Sequence, residues 1–486
     1  MTSSLLCQTV TGQTMAELLA ARDKAEAVDM VELRLDGVAD LDVAASLAGR
    51  RLPTIVTCRP TWEGGRFEGT EDERHAILVQ ALNCGADYVD LEWRAGFTEI
   101  ITHAPGRAVV SSHDFTGVPA DLDARVRAMR QTGASVIKIA VTATRLADTL
   151  PLIEIAREGN AVVIGMGAAG LPTRLLATRF GSRWTYAGDA VAPGQIPADR
   201  MLEQYRFRSV GPRTKLYGVV SANAMHSLSP VLHNAAFAAS HIDAVYVPLQ
   251  AGDFGDFLTF ADALGIEGAS VTIPFKLDAL HAAHGADDLT RAVGAANTLR
   301  RRQDGWDATN TDVAGFLDPL EAMLPEGLQG TRSAVLGAGG AARAAVVALA
   351  SRGAQVTVHA RRLEQAQEVA VLGATPALLP PAPGSWDVLV NTTPLGGAAS
   401  RDESPLPGGP FTGRLVYDLT YGPGESRLVR EARAAGCLAL DGLPMLVAQA
   451  ERQFEWWTGR RPAPGIMAAA IGRTDAGRTS TVRQGN

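Results

Sequence analysis

Val136-Ile137-Lys138-Ile139-Ala140-Val141 is the stretch whose reading decides the first half of this chain. It is apolar and β-branched, as a strand buried on both faces of a parallel sheet must be, with one charged residue inside it. An unpaired ammonium group buried there costs several kcal/mol or gives up its proton. The chain uses lysine sparingly: Lys24, Lys138, Lys215 and Lys276 are its only four, among 45 basic residues. Arginine cannot form an imine at neutral pH, and a desolvated lysine can. The plain alternative is a stem that carries its amine out of the strand end to water.

Working outward, apolar strands alternate with helical patterns from residue 1 to about 208. The strands expected are Leu5–Val10, Val28–Asp36, Thr54–Arg59, Asp87–Trp93, Ala108–Phe115, Val136–Val141, Ala161–Met166 and Trp184–Gly188, with helices such as Thr70–Cys84 and Leu122–Thr132 between them. Eight such units are the count of a (β/α)8 barrel, whose chemistry sits at the C-terminal strand ends. The polar residues gather at those ends. Glu32 and Arg34 are two apart on one strand and point the same way. Arg59 and Glu63, His113, Lys138, Arg174 and Gln195 follow on the other strands. Any one of them could be a structural ion pair; packing does not explain all of them at one rim.

These groups permit a specific chemistry. A neutral lysine adds to a ketone, and the resulting iminium draws electrons from the adjacent carbon. A histidine one strand away can take the adjacent proton and protonate a leaving hydroxyl. A carboxylate such as Glu63 can fix that histidine's tautomer. Three arginines suit an anionic, polyhydroxylated substrate. The residues point to a Schiff-base lyase or aldolase acting on a small carboxylated ketone.

The motifs Glu32-Leu33-Arg34, Thr57-Cys58-Arg59 with Glu63-Gly64-Gly65, Ser112-His113-Asp114-Phe115, Ile137-Lys138-Ile139-Ala140 and Ala192-Pro193-Gly194-Gln195 closely resemble type I 3-dehydroquinate dehydratase. The resemblance implies an imine between Lys138 and the C3 ketone of 3-dehydroquinate, His113 as general base and acid, and Glu63 as its orienting partner. It further implies that Arg174 binds the substrate carboxylate and that Glu32, Arg34, Arg59 and Gln195 hold hydroxyls and close the site. Val191 stands where that family usually has serine or threonine.

Residues 206–215 are polar with Gly-Pro punctuation and read as a short linker. A second α/β pattern begins at Leu216–Val220. Three motifs mark it: His226-Ser227-Leu228-Ser229-Pro230, Ser270-Val271-Thr272-Ile273-Pro274-Phe275-Lys276, and Ala296-Asn297-Thr298-Leu299 followed by Asn310-Thr311-Asp312. A lysine and an aspartate are what a ketone reduction needs, one to donate a proton and one to position it. Asp312 could instead simply cap the helix it begins, and Ser229-Pro230 could be an ordinary helix start. Next, the strand Ser333–Leu336 runs into Gly337-Ala338-Gly339-Gly340-Ala341-Ala342-Arg343 and a small-residue helix. That glycine pattern is weak alone, but between a strand and a helix it reads as a dinucleotide-binding turn. At the end of the following strand, Gln355–His359, stands Ala360-Arg361-Arg362 rather than an acid, which suits a 2′-phosphate and hence NADP. Further strands are expected at Asp387–Asn391, Leu415–Leu419 and Leu438–Leu440.

With Asp387–Thr393, Tyr417–Tyr421 and Gly442–Gln449, these stretches resemble shikimate dehydrogenase over about residues 214–470. The resemblance implies a Lys276–Asp312 catalytic pair. It places Ser227 and Ser229 on the substrate carboxylate and Thr272, Asn297, Tyr421 and Gln449 on substrate hydroxyls or carboxylate. For the cofactor it implies Gly337, Ala338, Gly339, Gly340, Ala341, Thr392 and Gly442, with Arg361 on the NADP 2′-phosphate. Differences from that family's usual pattern are Ser221-Ala222-Asn223, Ser270, Ala360 and Arg362.

The expected organisation is a (β/α)8 barrel over 1–208 and a substrate domain over 214–325, completed by a C-terminal helix over 443–470. A Rossmann-like NADP domain covers 326–442, and 473–486 is a polar, disordered tail. The two resemblances are consecutive steps: dehydration of 3-dehydroquinate to 3-dehydroshikimate, then NADPH-dependent reduction to shikimate. Rival readings are one live half, a catabolic quinate or shikimate dehydrogenase, and a metabolite sensor. A net charge of −7 points away from nucleic acid and anionic membrane surfaces. No apolar run reaches the roughly 18 residues of a membrane span. There is no signal-peptide pattern, and the four cysteines lack metal-type or paired spacing, so a cytoplasmic, metal-free protein with reduced thiols is expected. The oligomeric state stays open, a dimer included.

Overall fold

The computed structural model describes residues 3–188 and 194–472. Val191, the neighbouring Ala192-Pro193 and the expected tail at 473–486 lie outside the described residues. The chain forms two compact units: 1–216 with 222–226 and 243–265, and 217–221 with 227–242 and 266–486.

The first unit contains the eight parallel strands β1 (Leu5–Val10), β2 (Met30–Arg34), β3 (Thr54–Thr57), β4 (Tyr88–Glu92), β5 (Ala108–Asp114), β6 (Val136–Thr142), β7 (Ala161–Met166) and β8 (Trp184–Ala187). They hydrogen-bond in sequence order from β1 to β7, and β1 also pairs with β8. Among the described residues no ladder joins β7 to β8. There the Val163 amide donates to the Ser182 hydroxyl at 3.3 Å, and the Arg183 amide to the Ala161 carbonyl at 2.9 Å. The barrel is therefore nearly closed. Alternation along a strand sends residues i and i+2 to one face. Cys7, Met30, Ile55, Val109, Val136, Val162, Trp184 and Tyr186 belong to one packed cluster inside the barrel. Two residues further along β2, β5 and β6, the same inward register delivers Glu32, Ser111 and Lys138.

Strand boundaries are shorter than the apolar runs. β2 stops at Arg34 because Leu35–Gly37 forms a 3-10 turn, and β3 stops at Thr57. Helix Glu71–Asn83 begins on Thr70 in a full capping box with Glu73. The expected linker is not a free connection. Phe207 and Val210 are buried, Arg206 donates to the Ala244 carbonyl at 2.8 Å, and Arg208 pairs with Asp29 at 2.5 Å. Apolar anchors among the polar residues hold this segment to the protein. The run Arg300-Arg301-Arg302, which reads as a solvated strand end or turn, does end the strand Thr298–Arg302, but two of its side chains are engaged: Arg300 lies 4.2 Å from the Trp456 ring centroid and Arg301 4.3 Å from that of Trp306.

The remaining strands are β9 (Lys215–Ser221), β10 (Ala244–Gln250), β11 (Ile266–Val271), β12 (Gly285–Ala286), β13 (Thr298–Arg302), β14 (Gly305–Thr309), β15 (Arg332–Leu336), β16 (Gln355–Ala360), β17 (Ala374–Leu378), β18 (Val388–Asn391), β19 (Leu415–Asp418) and β20 (Leu438–Leu440). In the second unit β11 and β13 pair antiparallel, and β13 and β14 form a hairpin. A parallel sheet follows in the order β17-β16-β15-β18-β19-β20, the arrangement of a dinucleotide-binding domain. The edge strand β17 escapes a sequence reading because Pro376 interrupts it, and proline is tolerated at sheet edges. Helix Leu443–Thr458 closes the unit against helix Asp312–Met323, where a side chain at Gly315 would stand 2.8 Å from Gln449 Cβ. Among the described residues no helix is long and apolar enough to cross a membrane.

Candidate active sites

All eight residues expected at the barrel rim line one cavity: Glu32, Arg34, Arg59, Glu63, His113, Lys138, Arg174 and Gln195. Its volume is about 140 Å³. Lys138 does not reach out to water. Its Nζ lies 2.9 Å from Asp90 Oδ2 and 3.2 Å from Glu32 Oε1, and 4.3 Å from the centroid of the Tyr186 ring. Glu32 also accepts from Thr9 and Thr57, each at 3.0 Å.

His113 lies one strand over on β5. Its Nδ1 is 3.0 Å from Glu63 Oε1, which also accepts the His113 backbone N–H at 2.9 Å. Burial first, then Arg59 and Lys138, hold His113 well below the usual imidazole range, so the ring is neutral. A neutral ring that donates Nδ1–H to Glu63 leaves Nε2 to accept a proton. Burial raises Glu63 to about 7, even though Arg59 opposes the shift.

The arginines divide into two kinds. Arg34 is held bidentately by Asp36, both contacts at 2.9 Å. Arg59 bridges Asp90 at 2.9 Å and Glu92 at 2.6 Å. Burial acts against both charges, and their carboxylates more than offset it. Arg174, on helix Leu171–Leu175, is instead pulled down to about 10 by burial. A guanidinium in that state gains most from a bound anion.

Sequence reasoning missed Asp90, Glu92 and Arg74. Asp90 is fully buried, and although burial raises it, Arg59 and Lys138 hold its carboxyl below the usual range. Glu92 joins Arg59 to the fully buried Arg74, which stacks 4.7 Å from the Phe97 ring centroid. The signal was present in Tyr88-Val89-Asp90-Leu91-Glu92: two acids at period two on a buried strand demand buried cations.

In the second unit, Lys276 Nζ lies 2.6 Å from Asp312 Oδ2. The other oxygen, Oδ1, accepts from Asn297 Nδ2 at 2.7 Å, and Gln449 Oε1 stands 3.5 Å from the same nitrogen. Asp312 does not cap its helix; its carboxylate is committed to Lys276 and Asn297. Ser227 accepts the Ser229 N–H at 3.2 Å and hydrogen-bonds the half-buried Tyr421, whose phenol is pushed up by desolvation. Ser229-Pro230 does open helix Ser229–Ala239. Thr272 sits at the end of β11, where its amide bonds the Val220 carbonyl at 3.1 Å. Among the described residues no hydrogen bond joins its side chain to the other expected residues.

The turn after β15 has the geometry a pyrophosphate needs. Gly337 has φ +110, and a Cβ there would run into the Thr392 hydroxyl, which donates to the Leu336 carbonyl at 2.7 Å. Ala338 packs on the core, Gly339 is the N-cap, and Gly340 and Ala341 open helix Gly340–Ser351, so backbone N–H groups face the crevice between β15 and β18. A Cβ on Gly340 would stand 3.0 Å from Lys276 Cδ, so the lysine stem lies against this turn. Gly442 is packed so tightly on the Leu419 carbonyl that no side chain fits. Arg361 and Arg362 are exposed at the end of β16, and their side chains make no hydrogen bond or ion pair among the described residues. These features fit a bound dinucleotide with a 2′-phosphate. No cluster of metal-ligating side chains occurs among the described residues, and all four cysteines are free thiols.

Fold and sites together define a carbonyl-processing enzyme with two centres: a lysine-bearing (β/α)8 lyase barrel, and a reductase with a Rossmann-type domain. Comparison with known proteins gives the class its family. Residues 6–212 match type I 3-dehydroquinase, 219–299 the shikimate dehydrogenase substrate binding domain, and 442–471 the shikimate 5'-dehydrogenase C-terminal domain. The chain is 35% identical over 501 residues to the chloroplastic bifunctional 3-dehydroquinate dehydratase/shikimate dehydrogenase of Arabidopsis thaliana, covering 95% of this chain and 83% of that protein. It is 42% identical over 273 residues to the shikimate dehydrogenase (NADP(+)) of Anaeromyxobacter dehalogenans, covering 53% of this chain and 96% of the relative. A shikimate dehydrogenase crystallised with NADP+ is 30% identical, with a TM-score of 0.50, over 54% of this chain and 96% of that one. The chain belongs to the bifunctional 3-dehydroquinate dehydratase/shikimate dehydrogenase family of the shikimate pathway, a lyase and an NADP-dependent oxidoreductase in one polypeptide.

Proposed function

We propose that this chain dehydrates 3-dehydroquinate in the barrel and reduces the resulting 3-dehydroshikimate to shikimate in the second unit, with the following division of roles. Arg174 takes the substrate carboxylate, and Glu32, Arg34, Arg59 and Gln195 hold the hydroxyls. Lys138 adds to the C3 ketone, water leaves, and the nitrogen stands as an iminium between Glu32 and Asp90 until, after the elimination, water hydrolyses it to release 3-dehydroshikimate and the free amine. His113 Nε2 takes the proton from the adjacent carbon and returns it to the departing hydroxyl, with Glu63 holding Nδ1–H. The observation that carries this half is the placement of the Lys138 amine and the neutral His113 ring in one cavity, the amine held by carboxylates on β2 and β4 and the ring by Glu63 from the turn after β3.

In the second unit, Ser227, Ser229 and Tyr421 hold the carboxylate, and Thr272, Asn297 and Gln449 the hydroxyls. Lys276 gives a proton to the carbonyl oxygen while Asp312 fixes its amine. NADPH supplies the hydride when bound by the turn Gly337–Ala341, Thr392, Gly442 and Arg361. The proposed domains are 1–208, 214–325 completed by 443–470, and 326–442. Free thiols at all four cysteines support a cytoplasmic setting, which cell fractionation tests.

The test is a single reaction of purified protein with 3-dehydroquinate and NADPH, followed at the NADPH absorbance. A steady fall after a lag is expected. No fall with 3-dehydroquinate, yet a fall with 3-dehydroshikimate, refutes the barrel assignment; no fall with either refutes the reductase assignment.

A further inference from the structure

Beneath the Lys276–Asp312 pair runs a buried chain of polar side chains whose hydrogen-bond direction is settled at every step. It starts at Ser270, whose hydroxyl donates to Gln453 Oε1 at 2.7 Å. His233 Nε2 stands 3.3 Å from the same oxygen, and burial lowers this histidine to about 3, so the ring is neutral. A carbonyl oxygen accepts only, which makes Nε2 the protonated nitrogen. With its oxygen so placed, Gln453 turns its amide nitrogen toward Thr298 Oγ1 at 2.9 Å and the Asn297 carbonyl at 3.3 Å. Thr298 Oγ1 therefore accepts from Gln453, and its single hydrogen goes to Asn297 Oδ1 at 2.8 Å. The Thr311 N–H donates to the same oxygen at 2.9 Å. Asn297 is left with its NH2 facing Asp312 Oδ1 at 2.7 Å. Thr298 and His233 are fully buried and Gln453 is 1% exposed, so no water substitutes for a missing partner.

We infer that Thr298 and Gln453 are positioning residues for the ketone reduction. They lock the Asn297 amide with its donor toward Asp312 Oδ1. That carboxylate is thereby kept an acceptor, and Oδ2 stays committed to Lys276. Neither residue touches the reacting atoms in this account. The Asn297 main-chain carbonyl, which only accepts, sets which end of the Gln453 amide faces Thr298, and the Ser270 hydroxyl satisfies the oxygen at the other end. The inference rests on the proposed reading of Lys276 and Asp312 as the proton-handling pair.

Thr298→Val keeps the shape and removes both hydrogen-bonding functions, whereas Thr298→Ser keeps the hydroxyl and removes the methyl group. Steady-state reduction of 3-dehydroshikimate by the full chain is measured for both, with NADPH binding by fluorescence as the folding control. Loss of one oriented hydrogen bond predicts a fall of about tenfold in kcat for Thr298→Val, with KM for 3-dehydroshikimate moved much less. Thr298→Ser is expected to restore most of it. A Thr298→Val enzyme with unchanged kcat overturns the inference, as does a Thr298→Ser enzyme no better than Thr298→Val, since the methyl group would then be what matters. If Thr298→Val fails to bind NADPH, Gln453→Met carries the same test: reduced kcat at held KM supports the inference and unchanged kcat overturns it. Lys276→Ala separates the two levels. If it keeps its activity, the reading of the pair is wrong; if it is inactive while Thr298→Val is unimpaired, only the positioning chain is wrong.

Discussion

Replacing Glu63 by glutamine should make the barrel more stable at alkaline pH while disabling it. The Glu63 carboxyl is raised from an ordinary 4.5 to about 7, mainly by burial, with the Arg59 charge as a partial offset. At 1.36 kcal/mol per pH unit, that is a preference of the folded site for the protonated form of about 3 kcal/mol. The sign follows from the direction. A raised carboxyl contributes stability that is complete below pH 4.5 and is lost as the pH climbs through about 7. Above that point the wild-type protein carries a buried anion for which glutamine substitutes no charge. Glutamine still offers an oxygen to the His113 backbone N–H, now bonded at 2.9 Å. His113 itself is held neutral by burial, Arg59 and Lys138, so it does not titrate in this window. Because a chain of several domains does not unfold in one step, the assay is hydrogen exchange in urea, read on peptides from β5 and β6 at pH 5.5 and 8.5. The advantage of Glu63→Gln over wild type should be about 1 kcal/mol at the lower pH, one unit above the ordinary carboxyl value, and grow by about 2 kcal/mol at the higher. Its dehydration rate should fall about a hundredfold, because His113 Nδ1–H then meets a neutral amide oxygen in place of a carboxylate and the imidazolium formed on proton transfer loses its counter-charge. Wild-type dehydration should rise with pH through about 7, and the variant should lack that limb. A stability difference that stays constant between the two pH values would refute the reasoning.

Borohydride added with 3-dehydroquinate should attach the substrate to wild-type protein at the peptide carrying Lys138; equal labelling of Lys138→Ala would exclude it as the imine nitrogen. Arg361→Glu should weaken NADPH binding about tenfold or more and leave NADH nearly untouched, since the proposed contact with the 2′-phosphate would be replaced by repulsion; kcat/KM with each nucleotide checks it. Gly65→Ala should lower the thermal midpoint and abolish dehydration with reduction intact, because the new Cβ would overlap the Arg59 backbone carbonyl and displace the turn that carries Glu63. Measuring both activities on the same preparation separates this local damage from general misfolding.

Much of this protein was legible in its sequence, and particular residues show why. The run around Lys138 declares a strand because β-branched apolar residues fit a buried sheet, and its one charge stands out against them. Seven companion strands repeat the pattern, which is enough for a barrel. Gly337–Ala341 between β15 and its helix likewise announces a dinucleotide turn, since the tight backbone there depends on local conformational freedom. Such features are local: composition and period over a few residues decide them. The partner of each charged group was not legible. Asp90 lies 48 positions from Lys138 in the chain, and Gln453 lies 155 from Thr298. Barrel closure brings the first pair together, and the return of helix Leu443–Thr458 brings the second. Secondary structure alone places Lys138 on a strand and Asp312 at a helix start. Only the tertiary structure decides that the amine stays inside, between two carboxylates, and that Asp312 serves Lys276 rather than its own helix. Electrostatics and hydrogen bonding at these sites depend on distances of about 3 Å across elements remote in sequence, which no local pattern encodes.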